Sequence, residues 1–212
     1  MRISEIFYSI QGESSFAGQP CAFIRLSACD LRCAWCDTSY AFEEGRELSV
    51  VEILRAIEAF PCRLALVTGG EPLLQPPVHD LLGALLARGY EVCLETGGHH
   101  PVRDVDPRVH KIVDLKCPSS GMSARNHYEN LQYLTHRDEV KFVVGNRQDF
   151  EWACERIREF DLTSLVGTVL ISPVFGQMPY EELARLVLNS GLQVRLQLQL
   201  HRIIWPSEWR GV

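Results

Sequence analysis

The sequence predicts an α/β fold in which mostly parallel strands, with helices on the outside, curl into a barrel or an open part-barrel. Short β-branched runs alternate with helical periodicity along the 212 residues, and this alternation is typical of a parallel sheet. Successive right-handed β-α-β units curl such a sheet. Neither an internal repeat nor a linker interrupts the pattern, so we predict a single domain over residues 1–212.

The predicted elements follow one another in a regular order. A capping box of Ser49 and Glu52 marks the start of the first helix, and Gly89 ends the second. The last strand alternates apolar and polar residues, so one of its faces is buried and the other is wet or faces a ligand. In chain order, we predict a strand at 21–27, a helix near 49–60, a strand at 63–68, a helix at about 76–88, strands at 90–96, 110–115 and 139–144, a helix near 147–160, a strand at 165–172, a helix from Pro179 to Gly191 and a strand at 192–200.

The composition is that of a soluble globular protein: apolar residues make up 46% of the chain and charged residues 23%. A net charge of −6 argues against a nucleic-acid-binding surface, which needs an excess of Lys and Arg. No apolar run approaches the roughly 20 residues that span a bilayer, and the first residues lack the apolar stretch of a signal peptide. We therefore expect a cytoplasmic protein with a small-molecule ligand and with no nucleic-acid or membrane partner.

Three of the eight cysteines lie close together, at Cys29, Cys33 and Cys36. Three thiolates on one loop suit an iron–sulfur cubane, because three protein ligands leave the fourth iron open to a cofactor or substrate. The alternative is a structural zinc site, which needs a fourth ligand, and no second Cys-x-x-Cys pair supplies one. We expect the other five to be small buried hydrophobic residues: Cys21, Cys62, Cys93, Cys117 and Cys154.

Five loops that follow predicted strands carry polar residues. Sites in parallel α/β folds collect at the carboxyl ends of the strands, so these loops should converge on one mouth. In chain order they are the cysteine loop (residues 29–36), Thr68-Gly69-Gly70-Glu71-Pro72, Glu95-Thr96-Gly97, Asp114-Leu115-Lys116 and Ser172-Pro173. The sequence thus predicts a single active site at this end of the sheet.

Two motifs carry a resemblance to a known superfamily. The Cys-x3-Cys-x2-Cys spacing, with Trp35 before the third cysteine, and the Gly-Gly-Glu-Pro motif at residues 69–72 resemble the signatures of radical S-adenosylmethionine (SAM) enzymes. Further features make almost the whole chain similar to the 7-carboxy-7-deazaguanine synthase family. They are Ile6-Phe7-Tyr8-Ser9-Ile10-Gln11-Gly12-Glu13, Arg25, Asp37-Thr38 and Gln197-Leu198-Gln199-Leu200-His201.

This resemblance implies an activity and its cofactors. The family converts 6-carboxy-5,6,7,8-tetrahydropterin to 7-carboxy-7-deazaguanine, with ring contraction and loss of ammonia, in 7-deazapurine (queuosine) biosynthesis. It uses a [4Fe–4S] cluster, SAM and Mg²⁺, and it forms a homodimer on a partial (reduced) TIM-like barrel of parallel strands with outer helices. A flavodoxin-type protein or a similar electron donor is also implied. Two alternatives stay open, namely an activase of glycyl-radical enzymes and a non-enzymatic metal-binding module.

The resemblance also implies roles for individual residues. The cluster ligands are Cys29, Cys33 and Cys36, and Thr38 would supply a hydroxyl to Mg²⁺. Catalytic roles fall on Arg25 and Glu13. The substrate contacts would be Ile10, Gln11, Gly12, Arg25, Thr68 and Val212. The SAM contacts would be Trp35, Asp37, Gly70, Glu71, Asp114, Leu115, Lys116 and Ser172.

Arg25 has two interpretations. Its guanidinium fork matches a substrate carboxylate bidentately, but a barrel-lining salt bridge with Glu13 or Glu95 is the alternative. The sequence also departs from the family pattern twice. Ser14 stands where the family usually has Gly, and Asp114 begins a segment where the family has Ser-Pro-Lys.

Overall fold

The computed structural model describes residues 1–205, 210 and 211, and a nine-stranded sheet dominates that part of the chain. The strands are β1 (Arg2–Ile10), β2 (Pro20–Leu26), β3 (Arg46–Glu47), β4 (Leu64–Gly69), β5 (Glu91–Thr96), β6 (His110–Asp114), β7 (Glu139–Val144), β8 (Thr168–Pro173) and β9 (Arg195–Leu196). The helices are α1 (Val50–Glu58), α2 (Val78–Ala87), α3 (Arg147–Glu159), α4 (Leu162–Leu165), α5 (Tyr180–Ser190) and α6 (Leu200–Ile204).

The sheet is mostly parallel and open, which confirms the predicted fold class. Its strand order is β3-β1-β2-β4-β5-β6-β7-β8-β9, and every pair from β2 to β9 is parallel. The carboxyl ends of these strands therefore meet at one edge. In the described part of the chain, no helix combines the length and apolar character needed to cross a membrane.

Local sequence signals set several helix ends. The Ser49 hydroxyl accepts the backbone N–H of Glu52, whose carboxylate accepts the N–H of Ser49, so the capping box is confirmed. Gly89 follows α2 at φ +76°. Pro179 caps α5, and Gly191 ends it in the left-handed region.

The predictions were wrong at both ends of the sheet. The sequence analysis placed no strand before residue 21, but Arg2–Ile10 form β1, which pairs antiparallel with β2 over most of its length. The predicted strand at 192–200 shrinks to Arg195–Leu196, and Leu200–Ile204 form α6. Between these two elements, the side chains of Gln197 and Gln199 bind the segment after β1.

Two apolar clusters lie on opposite faces of the sheet. The larger packs the helices against the outer face and includes buried Cys117 and Cys154. The smaller fills the inner face around Phe7 and Phe23, whose stacked rings are 4.6 Å apart. Burial there raises the pKa of Cys21 to about 12. The inner cluster also holds Cys93, whereas Cys62 is half-buried against the outer core. Burial is thus as predicted for four of the five solitary cysteines.

A side-chain clamp joins the two edge regions of the open sheet. Gln197, which follows β9, accepts the backbone N–H of Ser14 at 2.8 Å and donates to the Ser14 carbonyl at 2.9 Å. The Leu200 N–H adds a bond to the Gly12 carbonyl at 3.1 Å. Ser14 adopts φ +68°, a left-handed conformation that glycine accepts more readily.

We predict that Gln197→Ala lowers the free energy of unfolding by about 2–3 kcal/mol, because it leaves the buried Ser14 N–H without its partner. The control is Arg195→Ala, which removes only an exposed 3.2 Å bond to the Ser15 hydroxyl and should cost less than about 0.5 kcal/mol. Urea denaturation of both variants and the parent measures the difference. Equal losses in the two variants would contradict a structural clamp.

Candidate functional site

A cavity of about 540 Å³ opens at the carboxyl edge of the sheet. Strands β2, β4, β5, β6 and β7 each contribute side chains to its wall, through Arg25, Thr68, Glu95, Asp114 and Lys141. The cysteine loop and the chain around residues 199–202 complete the wall. The predicted convergence of separate loops on one mouth therefore holds for all of them except Ser172-Pro173, whose place is taken by Val174 and Phe175.

The cysteine loop presents Cys29, Cys33 and Cys36 to this cavity. Arg32 stabilises the loop, since its guanidinium donates to the carbonyls of Cys29 and Leu31 at 2.7 Å each. The same guanidinium lies 4.4 Å from the centre of the Phe42 ring. The Cys36 N–H closes a turn on the Cys33 carbonyl at 3.2 Å. The loop is thus built to hold three thiols on one side.

The donor set fits an open iron–sulfur cluster. Burial raises the pKa of Cys29 to about 11 and also raises that of Cys33, and a coordinating metal ion deprotonates a thiol ligand. Among the described residues that line the cavity, the three loop cysteines are the only cysteines. Three soft ligands without a fourth protein thiol are what a site-differentiated cubane requires.

The two glycines of the Gly-Gly-Glu-Pro motif allow backbone to pack on backbone. A Cβ on Gly70 would lie 2.0 Å from the Ala28 carbonyl oxygen, and one on Gly69 would lie 2.2 Å from that of Leu26. The Gly70 N–H donates to Leu26 at 2.9 Å, and the Glu71 N–H donates to Ala28 at 2.8 Å. The motif is therefore bound directly to the residues that precede Cys29, in addition to facing the cavity.

Glu71 uses its fully buried carboxylate to hold the neighbouring strand end. The carboxylate accepts the Thr96 hydroxyl at 2.8 Å, the Gly97 N–H at 2.9 Å and the Leu73 N–H at 3.0 Å. Hydrogen bonds of this kind compensate for the burial of a charge. Glu71 thus ties the loops after β4 and β5 together at the cavity wall.

A network of buried charges forms one wall of the cavity. Lys141 donates to Glu13 at 2.7 Å and to Glu95, and it lies 3.9 Å from Asp114. Asp114 in turn accepts Lys116 at 2.8 Å. Burial acts to lower the pKa of Lys141, but the carboxylates of Glu13 and Glu95 outweigh it and hold that pKa well above its usual range. Positive and negative side chains therefore alternate along this wall, and their mutual hydrogen bonds hold them in place.

Arg25 pairs with Glu5, a residue of the strand that the sequence analysis missed. Its Nε donates to Glu5 at 2.7 Å, and the Tyr40 hydroxyl donates to the same carboxylate oxygen at 2.6 Å. The sequence analysis expected Glu13 or Glu95 as the partner of Arg25 in a salt bridge, and both of these partners were wrong. In the part of the chain that is described, the two Nη groups of Arg25 have no hydrogen-bond partner, and the guanidinium lines the cavity.

Most of the other candidate site residues also line the cavity. Thr68 donates to Glu95 at 3.3 Å, and the Thr38 hydroxyl lies 3.8 Å from the Cys36 sulfur. Gly12 lies against His201, because a Cβ there would be 2.3 Å from the imidazole Nδ1. The remaining candidates on the wall are Ile10, Gln11, Trp35, Asp37 and Gly70.

Two of the described candidate residues do not line the cavity. The Leu115 side chain is buried in the outer core because it points away from neighbouring Asp114. Ser172 is fully buried in β8 and also lies off the wall. Asp114 does line the wall, but its carboxylate is already occupied by Lys116. Val212 lies outside the described residues.

Sequence reasoning missed several residues of the wall. Lys141 was detectable, because it interrupts the apolar run Val140-Lys-Phe-Val-Val144 at a position where burial requires a partner. Glu5 gave no such signal, since it lies in a segment without a clear period. Tyr40, Gln199 and Arg202 are among the other wall residues that the sequence analysis did not assign to the site.

Comparisons with known proteins show what this chain is similar to. A sequence model of the Radical SAM superfamily matches residues 23–188. The chain is 44% identical to a 7-carboxy-7-deazaguanine synthase of Koribacter versatilis, with all of both chains covered. It is 47% identical to the synthase of Chlorobaculum tepidum, with 100% of this chain and 97% of the relative covered. Among solved structures, QueE from Escherichia coli superposes with a TM-score of 0.78 at 25% identity, with 93% of each chain covered.

We predict that Cys29→Ala, Cys33→Ala and Cys36→Ala each abolish iron binding, because every thiolate of a three-ligand site is needed to hold the cluster. The matched controls replace Cys21, Cys62, Cys93, Cys117 and Cys154 with Ala one at a time, and these should keep their iron. Iron and sulfide analysis after anaerobic reconstitution decides the outcome. A full complement of iron in any variant of the triad would refute the assignment.

Proposed function

Since the chain belongs to the radical SAM superfamily and, within it, to the 7-carboxy-7-deazaguanine synthase family, we propose that its cavity converts 6-carboxy-5,6,7,8-tetrahydropterin to 7-carboxy-7-deazaguanine with loss of ammonia. The protein is a radical SAM enzyme. One observation carries the finer proposal: the cysteine loop faces the same cavity as Arg25 and the charge network of Lys141. A cluster site and a site for a small charged substrate thus share one enclosed space.

When bound together, a reduced [4Fe–4S] cluster and SAM supply a carbon-centred radical that abstracts hydrogen from substrate. The residues that would hold the cluster are Cys29, Cys33 and Cys36. The backbone N–H groups of Gly70 and Glu71 are hydrogen-bonded to the residues just before Cys29. The Gly-Gly-Glu-Pro motif, which would hold SAM, therefore has a fixed position relative to the cluster ligands. Trp35 and Asp37 extend this part of the wall. The protein's contribution is orientation and the exclusion of water.

Arg25 would bind the carboxylate of the pterin. Glu5 accepts its Nε–H and is itself held by the Tyr40 hydroxyl, which leaves the two Nη groups of Arg25 to form a fork on a carboxylate. The side chain is only 16% exposed, so an ion pair made there is poorly screened by water. The pterin would therefore be oriented by its carboxyl group at the β1–β2 side of the cavity.

Glu13 and Glu95 would bind the ring nitrogens of the pterin. Burial raises the pKa of Glu95, but Lys141 outweighs that effect and keeps its pKa below the usual value, so the carboxylate stays an acceptor for N–H donors. Glu13 is fixed between Lys141 and Gln199, each at 2.7 Å. Gln11, Gly12 and Thr68 complete this part of the wall. In this arrangement Glu13 is the group placed to move a proton during loss of ammonia.

Mg²⁺ is a further part of the proposal. Thr38 lies on the cavity wall beside the cysteine loop and offers one hydroxyl. Magnesium keeps several waters and commonly takes few protein ligands, so one hydroxyl together with substrate oxygens is chemically sufficient.

The remaining expectations rest on the resemblance. We propose a single-domain protein that acts in the cytoplasm as a homodimer and receives electrons from a flavodoxin-type donor. The activase alternative requires a protein substrate, whereas the cavity has a volume that suits a small molecule.

The direct test is an anaerobic assay of the reconstituted protein with SAM, a reductant and 6-carboxytetrahydropterin. We expect 7-carboxy-7-deazaguanine, detected by mass spectrometry, together with ammonia. An absence of product from protein that holds a full cluster and binds SAM would refute the proposed substrate.

We predict that Arg25→Lys raises the KM for the pterin by about tenfold or more, because a charged bidentate hydrogen bond is worth roughly 1.5–3 kcal/mol. Glu5→Ala should have a similar effect, since it frees the guanidinium from its position. The control is Arg63→Lys, whose guanidinium stacks on Tyr90 away from the cavity. Steady-state kinetics separate the three variants, and an unchanged KM in Arg25→Lys would rule out the carboxylate contact.

We predict that Thr38→Ala weakens the dependence of the rate on Mg²⁺ without loss of iron, because a hydroxyl ligand disappears while the thiolates stay. Thr38→Ser keeps the hydroxyl and is the matched control. Rates measured against Mg²⁺ concentration give the answer. If Thr38→Ala follows the same Mg²⁺ curve as the parent, Thr38 is not a ligand.

A further inference from the structure

A side-chain bridge links the cysteine loop to the Gly-Gly-Glu-Pro motif, through residues that no motif includes. Asp30 lies directly after Cys29, and Glu71 lies in the motif. His99, from the loop after β5, stands between the two carboxylates. The bridge concerns the cofactor end of the cavity and involves none of the proposed pterin contacts.

Asp30 is held by three side chains from elsewhere in the fold. His99 Nε2 lies 2.6 Å from one of its oxygens and His100 Nε2 lies 3.2 Å from the same oxygen. Arg125 donates to the other oxygen at 2.9 Å. The Asp30 carboxylate thus ties the cysteine loop to three side chains from other parts of the fold. A shift in the position of His99, His100 or Arg125 would therefore also shift the loop.

His99 differs from the other two partners in its burial and in its second contact. Its side chain is 1% exposed, whereas those of His100 and Arg125 are 25% and 51% exposed. Its Nδ1 is buried and has no hydrogen-bond partner among the described residues, and the nearest carboxylate oxygen is that of Glu71 at 3.6 Å. A buried polar atom without a partner needs an explanation, and a shift below about 1 Å would complete this hydrogen bond.

The far end of the bridge is rigid. Glu71 is fully buried, and the Thr96 hydroxyl and the Gly97 N–H already fix its carboxylate. Because His99 comes two residues after Gly97, the imidazole and the carboxylate are positioned by the same turn. A displacement of Asp30 therefore moves the His99 ring relative to Glu71, across the 3.6 Å that separates Nδ1 from the carboxylate.

We propose that His99 is a positioning residue that couples the cysteine loop at Asp30 to the cofactor motif at Glu71, so that SAM binding and cluster geometry depend on each other. Outer contacts of this kind orient metal ligands and typically change affinity by about 10- to 100-fold when they are removed. The proposal rests on the family's cofactors and not on the pterin, so it stands or falls independently of the proposed substrate.

The test uses two substitutions that each keep one half of the bridge. His99→Gln places an amide near the position of Nε2 and keeps the contact to Asp30, while His99→Asn places one near Nδ1 and keeps the contact to Glu71. His100→Gln is the matched control, because it alters an adjacent partner of Asp30 that has no contact with Glu71.

Two quantities are measured on anaerobically reconstituted protein: the Kd for SAM and the change that SAM causes in the electron paramagnetic resonance spectrum of the reduced cluster. We expect His99→Gln and His99→Asn to retain iron, to bind SAM about tenfold or more weakly, and to lose most of the spectral change. His100→Gln should stay within about twofold of the parent, since it leaves the bridge intact.

Each other outcome would overturn the coupling. If His99→Gln matches the parent while His99→Asn does not, only the contact with Asp30 matters. If both variants lose their iron, or if their melting temperatures fall without a change in SAM affinity per cluster, His99 is a structural anchor of the loop. If both behave as the parent does, the bridge has no role.

Discussion

The contact on which the site depends is the one between two stretches of backbone, at the end of β2 and at the end of β4. The N–H groups of Gly70 and Glu71 reach the carbonyls of Leu26 and Ala28, and no side chain fits between them. Ala28 itself takes φ +71° to make this approach. Parallel pairing of adjacent strands therefore sets the distance between the cysteine loop and the cofactor motif directly, because backbone bonds have far less freedom than side chains.

Around that rigid joint, charge organises the rest of the cavity. Three cationic side chains, Arg25, Lys116 and Lys141, are each matched by a carboxylate within hydrogen-bond distance. Ionised groups removed from water are stable only when they are paired in this way. The pairing also means that a charged ligand enters a cavity whose buried cations already have carboxylate partners, so recognition comes from the exposed ends of existing pairs, as at the Nη groups of Arg25.

Local signals in the sequence predicted local structure, but they did not predict contacts between residues that are far apart in the chain. The Ser49 capping box and the glycines that end helices act within one turn, and the three cysteines lie within one loop. The sequence therefore predicted these helix ends and the grouping of the cysteines. Glu13 and Lys141 are 128 residues apart in the chain, and only the curl of the sheet brings them together. The period of a strand decides the direction of each side chain. For this reason Leu115 points into the outer core although its neighbour Asp114 faces the cavity.

The clamp at Gln197 has a consequence for how such a fold can diversify. Because a few contacts of Gln197, Gln199 and Leu200, rather than a ladder of strand hydrogen bonds, join the first and last regions of the sheet, the chain beyond β8 can lengthen, shorten or change register without disturbing strands β2, β4 and β5. Strands β2 and β4 carry the joint that positions the cysteine loop. Insertions after β8 would thus reshape the substrate side of the cavity and leave the joint between β2 and β4 intact, which makes this seam a natural place for new substrate specificities to evolve.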